Sequence, residues 1–285
     1  MIKKGLYSLL PDFESGVELI HRRFQAESPF MAARFGSVEI KGMLYPKLPV
    51  PLRYAFRSRT FGTMRNNAGF FPPTEESLKR FSKLMLNDSH EVDILGSWRI
   101  EEFLIRSHLR KAVRIPLNVL EPYLSNRPWT ANLAGKNVLV IHPFNKTIES
   151  QYSEHREKIF QDQTVLPKFK SLQTIRAIQT IGGERSKFQD WFEALDFMRS
   201  QIDTIDFDVA ILGCGAYGFP LAAHIKRKGK TAIHLGGATQ ILFGIRGKRW
   251  DNHPVISGFY NDHWTRPGME DTPSMASSVE NGCYW

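Results

Sequence analysis

Only two of the 285 residues are cysteine, Cys214 and Cys283, and neither stands in a CxxC pair. That scarcity excludes a disulfide framework, gives no sign of a zinc or redox dithiol motif, and fits a reducing, cytoplasmic setting. No apolar stretch approaches the roughly 20 residues of a membrane-spanning helix, so the chain is not expected to cross a bilayer. Lys3 and Lys4 precede a short apolar stretch, Leu6 to Leu10, but Pro11, Asp12 and Glu14 end it before a signal-peptide core forms, so export is not expected. Internal repeats and low-complexity segments are absent. So are helix-turn-helix, zinc-finger and RNP signatures, and no nucleic-acid partner is expected.

What is present is a folding composition with a basic bias. Hydrophobic residues make up 42% and charged residues 24%, near the average for folded soluble proteins. Lys and Arg outnumber Asp and Glu by 38 to 29, a formal charge of +9, with clusters at Arg22–Arg23, Arg53–Arg57–Arg59, Lys226–Arg227–Lys228–Lys230 and Arg246–Lys248–Arg249. Such an excess suits an anionic partner: a phosphorylated small molecule, an anionic membrane surface or nucleic acid.

Patterning predicts an α/β fold, a Rossmann-like, mostly parallel sheet with helices on both faces, in two α/β halves. Residues 1–130 form the first half. Within it we expect a helix over Gly16 to Phe24, a buried strand over Phe30 to Phe35, a helix from Ser37 to Leu44, and a long functional loop over Pro46 to Pro73. A helix follows at Glu75 to Leu86, a strand at Val92 to Leu95, a helix at Ile100 to Leu109 and a strand at Ala112 to Ile115. Residues 131–250 form the second half, with strands at Asn137 to His142, Ile175 to Ile181, Val209 to Leu212 and Ala232 to Leu235. Its helices are expected at Ile148 to Phe160, Trp191 to Ile202 and Leu221 to Lys228. Residues 251–285 read as an irregular tail, rich in aromatics, that packs back on the body.

Three glycine turns carry the chemistry. In Gly213-Cys214-Gly215-Ala216-Tyr217-Gly218 a strand feeds a turn that opens a helix, a literal GxGxxG in which glycine lets the backbone approach a phosphate and the helix start attracts negative charge. A dinucleotide site fits poorly, because the next strand ends His234-Leu235-Gly236-Gly237 with no acid to take ribose hydroxyls, and too little patterned chain remains to complete the fold. Gly236, Gly237, Thr239 and Gln240 form the second turn, at the neighbouring strand end. Ligands in open α/β sheets settle at such ends, so both turns are expected to share a ligand with His142, which closes its own strand. The third is Arg34-Phe35-Gly36-Ser37-Val38-Glu39, where Arg34 is suited to phosphate or to Glu39, and Glu39 to a divalent metal or to general-base work. Cys214 is not expected to be a nucleophile, because Gly215 occupies the elbow position. Arg246, Lys248, Arg249 and Trp250 offer a clamp for a diphosphate and a surface to stack a base or sugar.

With Arg34-Phe-Gly-Ser-Val-Glu39, the segment Asn66-Asn67-Ala-Gly69-Phe-Phe-Pro72, Gly213 to Gly218 and the closing Val279-Glu-Asn-Gly-Cys-Tyr-Trp285, most of the chain resembles the GT-D type of glycosyltransferase found in bacterial surface-glycan clusters. The resemblance implies transfer of a sugar from a nucleotide-sugar donor to a glycan or lipid-linked acceptor in polysaccharide biosynthesis, with the enzyme cytoplasmic or peripheral at the inner membrane face. The family's Asp-x-Glu motif, taken to hold a divalent metal and the donor diphosphate, falls on Ser37 and Glu39. A hydroxyl in place of the aspartate weakens a hard-cation site, which leaves two readings: Mn or Mg through Glu39, or neutralisation of the leaving diphosphate by basic residues. Taking the glycine turns and the resemblance together, the residues expected to bind the donor are Gly36, Ser37, Asn66, Asn67, Gly69, His142, the two glycine turns (Gly213, Cys214, Gly215, Ala216 and Tyr217; Gly236, Gly237, Thr239 and Gln240) and Arg249. The other expectations are a nicotinamide or adenosylmethionine enzyme using the Gly213 turn, and a noncatalytic nucleotide- or anion-binding protein.

Overall fold

The computed structural model describes residues 10–183, 186–272 and 282–285. The stretch Lys3 to Leu10 thus lies outside the described residues except for Leu10, as do Val279, Glu280 and Asn281 of the closing motif. Seven described strands form one sheet in the order β3-β2-β1-β7-β6-β4-β5. They are β1 Met31–Ala33, β2 Ile94–Ser97, β3 Val113–Pro116, β4 Asn137–His142, β5 Ser171–Arg176, β6 Val209–Leu212 and β7 Thr231–His234. Every pairing is parallel, so the architecture is α/β and Rossmann-like, with no antiparallel strand among those described.

Parallel strands covered on both faces read as unbroken apolar runs, and here their alternate residues divide between two cores. Met31, Ala33, Leu139, Ile141, Ala210 and Leu212 face one layer, with Ile40 and Met43 of helix α2 (Ser37–Leu44), Met64 of α3 (Val50–Asn66), and Phe81 and Met85 of α4 (Glu75–Asp88). Ala32, Val138, Val140, Val209 and Ile211 face the other, with Val17 and Ile20 of α1 (Phe13–Gln25) and Ile148 of α5 (Asn145–Ser150). Asp12 starts α1 by accepting the Ser15 amide at 2.9 Å, and Thr74 with Ser77 forms a capping box at α4.

Four expectations need correction. The expected loop over 46–73 contains the 17-residue helix α3. Pro49 and Pro51 stand at its start, where the missing amide costs nothing, and Arg, Ala and Met inside it are good helix formers. The strand expected at 175–181 lies at 171–176, because β5 is the sheet's edge and its half-exposed Ser-Leu-Gln-Thr alternation carries a weaker apolar signal. Ile100–His108 is a 3-10 segment kinked at Ile105 rather than an α-helix. The helix expected over 148–160 begins at Asn145 and passes through a π turn at Gln151–His155 before α6 (Arg156–Ile159).

From β4 the chain leaves towards β5 on one side, while from neighbouring β6, which follows α7 (Trp191–Asp203), it leaves through α8 (Gly218–Arg227) towards β7 on the other. That reversal creates a crevice outside the carboxyl ends of β4 and β6, the place where open α/β sheets take their ligands.

Candidate active site

The crevice opens into a cavity of about 320 Å³ walled by the carboxyl ends of six strands. Arg34, Gly36, Ser37 and Glu39 come from β1, Trp98 from β2, His142 from β4, Ala177 to Ile181 from β5, Gly213 to Tyr217 from β6, and His234, Gly236, Gly237 and Gln240 from β7. Asn67 and Gly69 enter from the end of α3, and Arg249, Trp250, Tyr284 and Trp285 from the last part of the chain. The three glycine turns therefore meet at one space.

Two of the expected binding residues do not line it. Asn66 is exposed in the last turn of α3, one residue short of the wall formed by Asn67. Thr239 is fully buried beneath the wall, its hydroxyl 2.6 Å from where a Cβ on Gly213 would stand. Of the basic clamp, Arg249 lines the cavity, whereas Arg246 donates to the Asn261 carbonyl at 2.8 Å and Lys248 is exposed outside it.

Arg34 is the central cation. Its guanidinium lies 4.9 Å from the centre of the Trp98 ring and against the glycine at 236, whose φ of +70° few other residues adopt. Trp98 is fixed in turn, its indole N–H donating to the Phe35 carbonyl at 2.8 Å. Burial pulls the Arg34 guanidinium below its ordinary range, and the Glu39 carboxylate is the strongest of the charges that oppose this. Glu39 folds back over the start of α2, where Gly36 leaves room: a Cβ at position 36 would lie 1.8 Å from Glu39 Oε2.

The two histidines of the cavity wall, His142 and His234, are held in the neutral form by burial. Burial holds His142 at about 3, and its Nδ1 accepts the Phe144 amide at 3.0 Å, which assigns the ring proton to Nε2 as a donor. Burial, aided by the Arg34 charge, also takes His234 to about 3; its ring fills the space beside Gly218, where a Cβ would fall 2.4 Å from Nε2. Burial raises the Cys214 thiol above its ordinary range, leaving it unreactive.

These contacts reassign much of the GxGxxG segment. A Cβ at Gly213 would meet His142, Thr239 and the Gly236 carbonyl within 2.7 Å, and the Gly213 amide already donates to the Ile141 carbonyl at 3.0 Å. Gly213 and Gly218 thus serve close packing between strand ends, while at Gly215, φ +55°, a Cβ would meet only the Ala68 carbonyl, at 4.0 Å. With His234 closing β7, no carboxylate stands at that strand end to receive a ribose.

Glu121 and Trp98 went unnoticed in the sequence. Glu121 lines the cavity, accepts the Tyr123 hydroxyl at 3.0 Å, and is raised by burial against that bond and the Arg34 charge. Its signal was a lone carboxylate in an apolar stretch, Leu120-Glu121-Pro122; that of Trp98 was its place just past a buried strand. The chain's end also contributes: Arg249 donates to the Tyr284 hydroxyl at 3.0 Å, and Gln240 donates to the Tyr284 carbonyl at 3.2 Å.

A resident divalent cation does not fit these donors. Hard cations need several oxygen ligands, and among the described residues no three His, Cys, Asp or Glu side chains are grouped to hold one. Glu39 has Ser37 beside it in sequence and the Arg34 charge acting on it.

No family model and no curated protein matches this chain. A solved structure described as a selenomethionine-substituted domain of unknown function 1792 (DUF1792) aligns with a TM-score of 0.38 at 15% identity, covering 78% of this chain and 82% of that chain. A likeness at that level carries no inference about chemistry. No helix among the described residues is long and apolar enough to cross a membrane.

Proposed function

We propose that the protein is a glycosyltransferase that moves a sugar from a nucleotide-sugar donor to a hydroxyl of a glycan or lipid-linked acceptor. The observation that supports this most is the half-buried Arg34, beside Trp98 and Gly236 in the wall of a cavity that is also lined by Glu39 and a neutral, proton-donating His142. A preorganised guanidinium in a poorly solvated site favours an anion, above all one whose charge grows during reaction. In this reading Arg34 and Arg249 receive the donor diphosphate and His142 donates to it, while Trp250 and Tyr284 offer faces for the base or sugar. The acceptor oxygen bonds to the anomeric carbon, the bond from that carbon to diphosphate breaks with its electron pair on the diphosphate, and Glu39 takes the hydroxyl proton.

Calorimetric titration with UDP-, GDP- and TDP-sugars, with and without manganese, tests the assignment. One nucleotide class should bind saturably; Arg34→Met should weaken it by roughly thirtyfold or more, and Glu39→Gln should keep donor binding while losing transfer and donor hydrolysis. No saturable binding to any donor, or binding of NAD or adenosylmethionine in their place, would overturn it.

A further inference from the structure

Among the described residues, Glu121 is the one carboxylate of the cavity wall that the proposed transfer leaves without a part. It stands between two 3-10 turns after β3, Leu117–Leu120 and Pro122–Leu124, and so reaches the cavity from outside the glycine turns. Tyr123 donates to its Oε2 at 3.0 Å and is, among the described residues, the one hydrogen-bond donor to its side chain. A carboxylate offers about four acceptor positions, so most of them remain open. Arg34 acts on Glu121 through its charge, without a contact ion pair between the two. A carboxylate this poorly solvated gains most from hydroxyl donors that a ligand brings.

Its neighbours indicate which hydroxyls those are. Two groups act electrostatically on Glu121, Arg34 and His253. His253 is tied to Trp250, its amide donating to the Trp250 carbonyl at 3.0 Å, and the Trp250 ring centre stands 6.1 Å from that of Tyr284. Glu121 is thus a neighbour both of the guanidinium assigned to the diphosphate and of the aromatic corner offered to the base. That is the position a ribose takes in a nucleotide. We infer that the Glu121 carboxylate receives the 2′- and 3′-hydroxyls of the donor ribose, which makes this a site for a ribonucleoside diphosphate and ranks 2′-deoxy donors such as TDP-sugars below it. The inference rests on the proposed donor site, and it supplies the ribose acceptor that the end of β7 lacks. Discrimination follows because a missing hydroxyl leaves a buried acceptor unpaired.

Calorimetry that compares UDP with 2′-deoxy-UDP, and GDP with 2′-deoxy-GDP, on the wild type and on Glu121→Gln tests it. The ribonucleotide of one pair should bind the wild type at least roughly tenfold more tightly than its deoxy form. Glu121→Gln keeps the shape and a weaker, neutral acceptor, so the preference should shrink to about threefold or less, through lost ribonucleotide affinity with little change for the deoxy form. The wild-type comparison needs no substitution, and thermal unfolding checks that the variant folds. Equal binding of the two forms by the wild type would overturn the inference and leave the donor site standing. So would an equal loss for both forms in Glu121→Gln, a preference that the variant keeps in full, or tighter binding of TDP than of UDP and GDP. If none of the three diphosphates bound, the inference and the donor site would fall together.

Discussion

The Glu39 carboxylate occupies the space that any side chain at position 36 would need, with Oε2 only 1.8 Å from a Cβ built on Gly36. The pair couples the N-cap of α2 to the one carboxylate that β1 delivers into the cavity. Because the obstructing atoms are the end of a flexible side chain, Gly36→Ala should displace Glu39 rather than unfold the chain. The expected outcome is a loss of stability within about 1 kcal/mol, with transfer and donor hydrolysis falling as for Glu39→Gln. Unchanged hydrolysis alongside unchanged stability would remove Glu39 from the mechanism.

Gly213 behaves differently because its neighbours include backbone. A Cβ there meets the Gly236 carbonyl at 2.7 Å as well as His142 and Thr239, so three strand ends must move apart. Gly213→Ala should cost about 3 kcal/mol or more, read as a lowered urea midpoint or insoluble protein. Gly62→Ala is the opposite case: it lies inside α3 with nothing within 4 Å of the added methyl, and should stabilise by about 0.5–1 kcal/mol.

His142 and His234 both sit at about 3 in the fold, below the ordinary 6.5 they regain on unfolding. The unfolded chain then binds protons that the fold refuses, so their contribution is complete above 6.5 and is lost as pH falls towards 3. At pH 5 each should have given up about 2 kcal/mol. Urea denaturation at pH 7.5 and 5.0 should show His142→Gln losing less stability between the two than the wild type, by about that amount; parallel losses would mean the ring is not buried neutral.

Asp88 is fully buried, and Arg227 donates to it at 2.8 Å. Burial raises the Asp88 pKa above its unfolded value of 3.8, so the fold takes up a proton more readily than the unfolded chain and gains stability as pH falls through that raised value. Removing the arginine with Arg227→Ala strands the charge and should cost about 3 kcal/mol at pH 7. The deficit should narrow as pH is lowered, and Asp88→Asn in the same chain should recover part of it. A deficit equal at pH 7 and pH 5 would mean the pair is not electrostatic in effect.

Legibility followed the physics of burial. β4 and β6 are found at their expected residues because a strand covered on both faces is an uninterrupted apolar run stopped by a turn, whereas edge strand β5 lacks that signature. Helix α3 hid because its apolar residues are spread round the axis and its prolines read as loop until their place at the N-terminus is known. Among site residues, those in glycine turns stood out, while Glu121 and Tyr284 reach the cavity only through long-range packing, which local pattern does not encode.

By itself the order of residues determined the α/β class, the strand ends where glycine turns fall, and the basic balance, since each depends on periodicity or composition within a few neighbours. Tertiary structure alone decided which turns share a space, that Gly213 and Gly218 separate strand ends rather than all greeting a phosphate, and that α3 lies bare. Those outcomes depend on which distant segments come into contact, and contact, not local propensity, decides what is buried, what is charged and what remains for a ligand to touch.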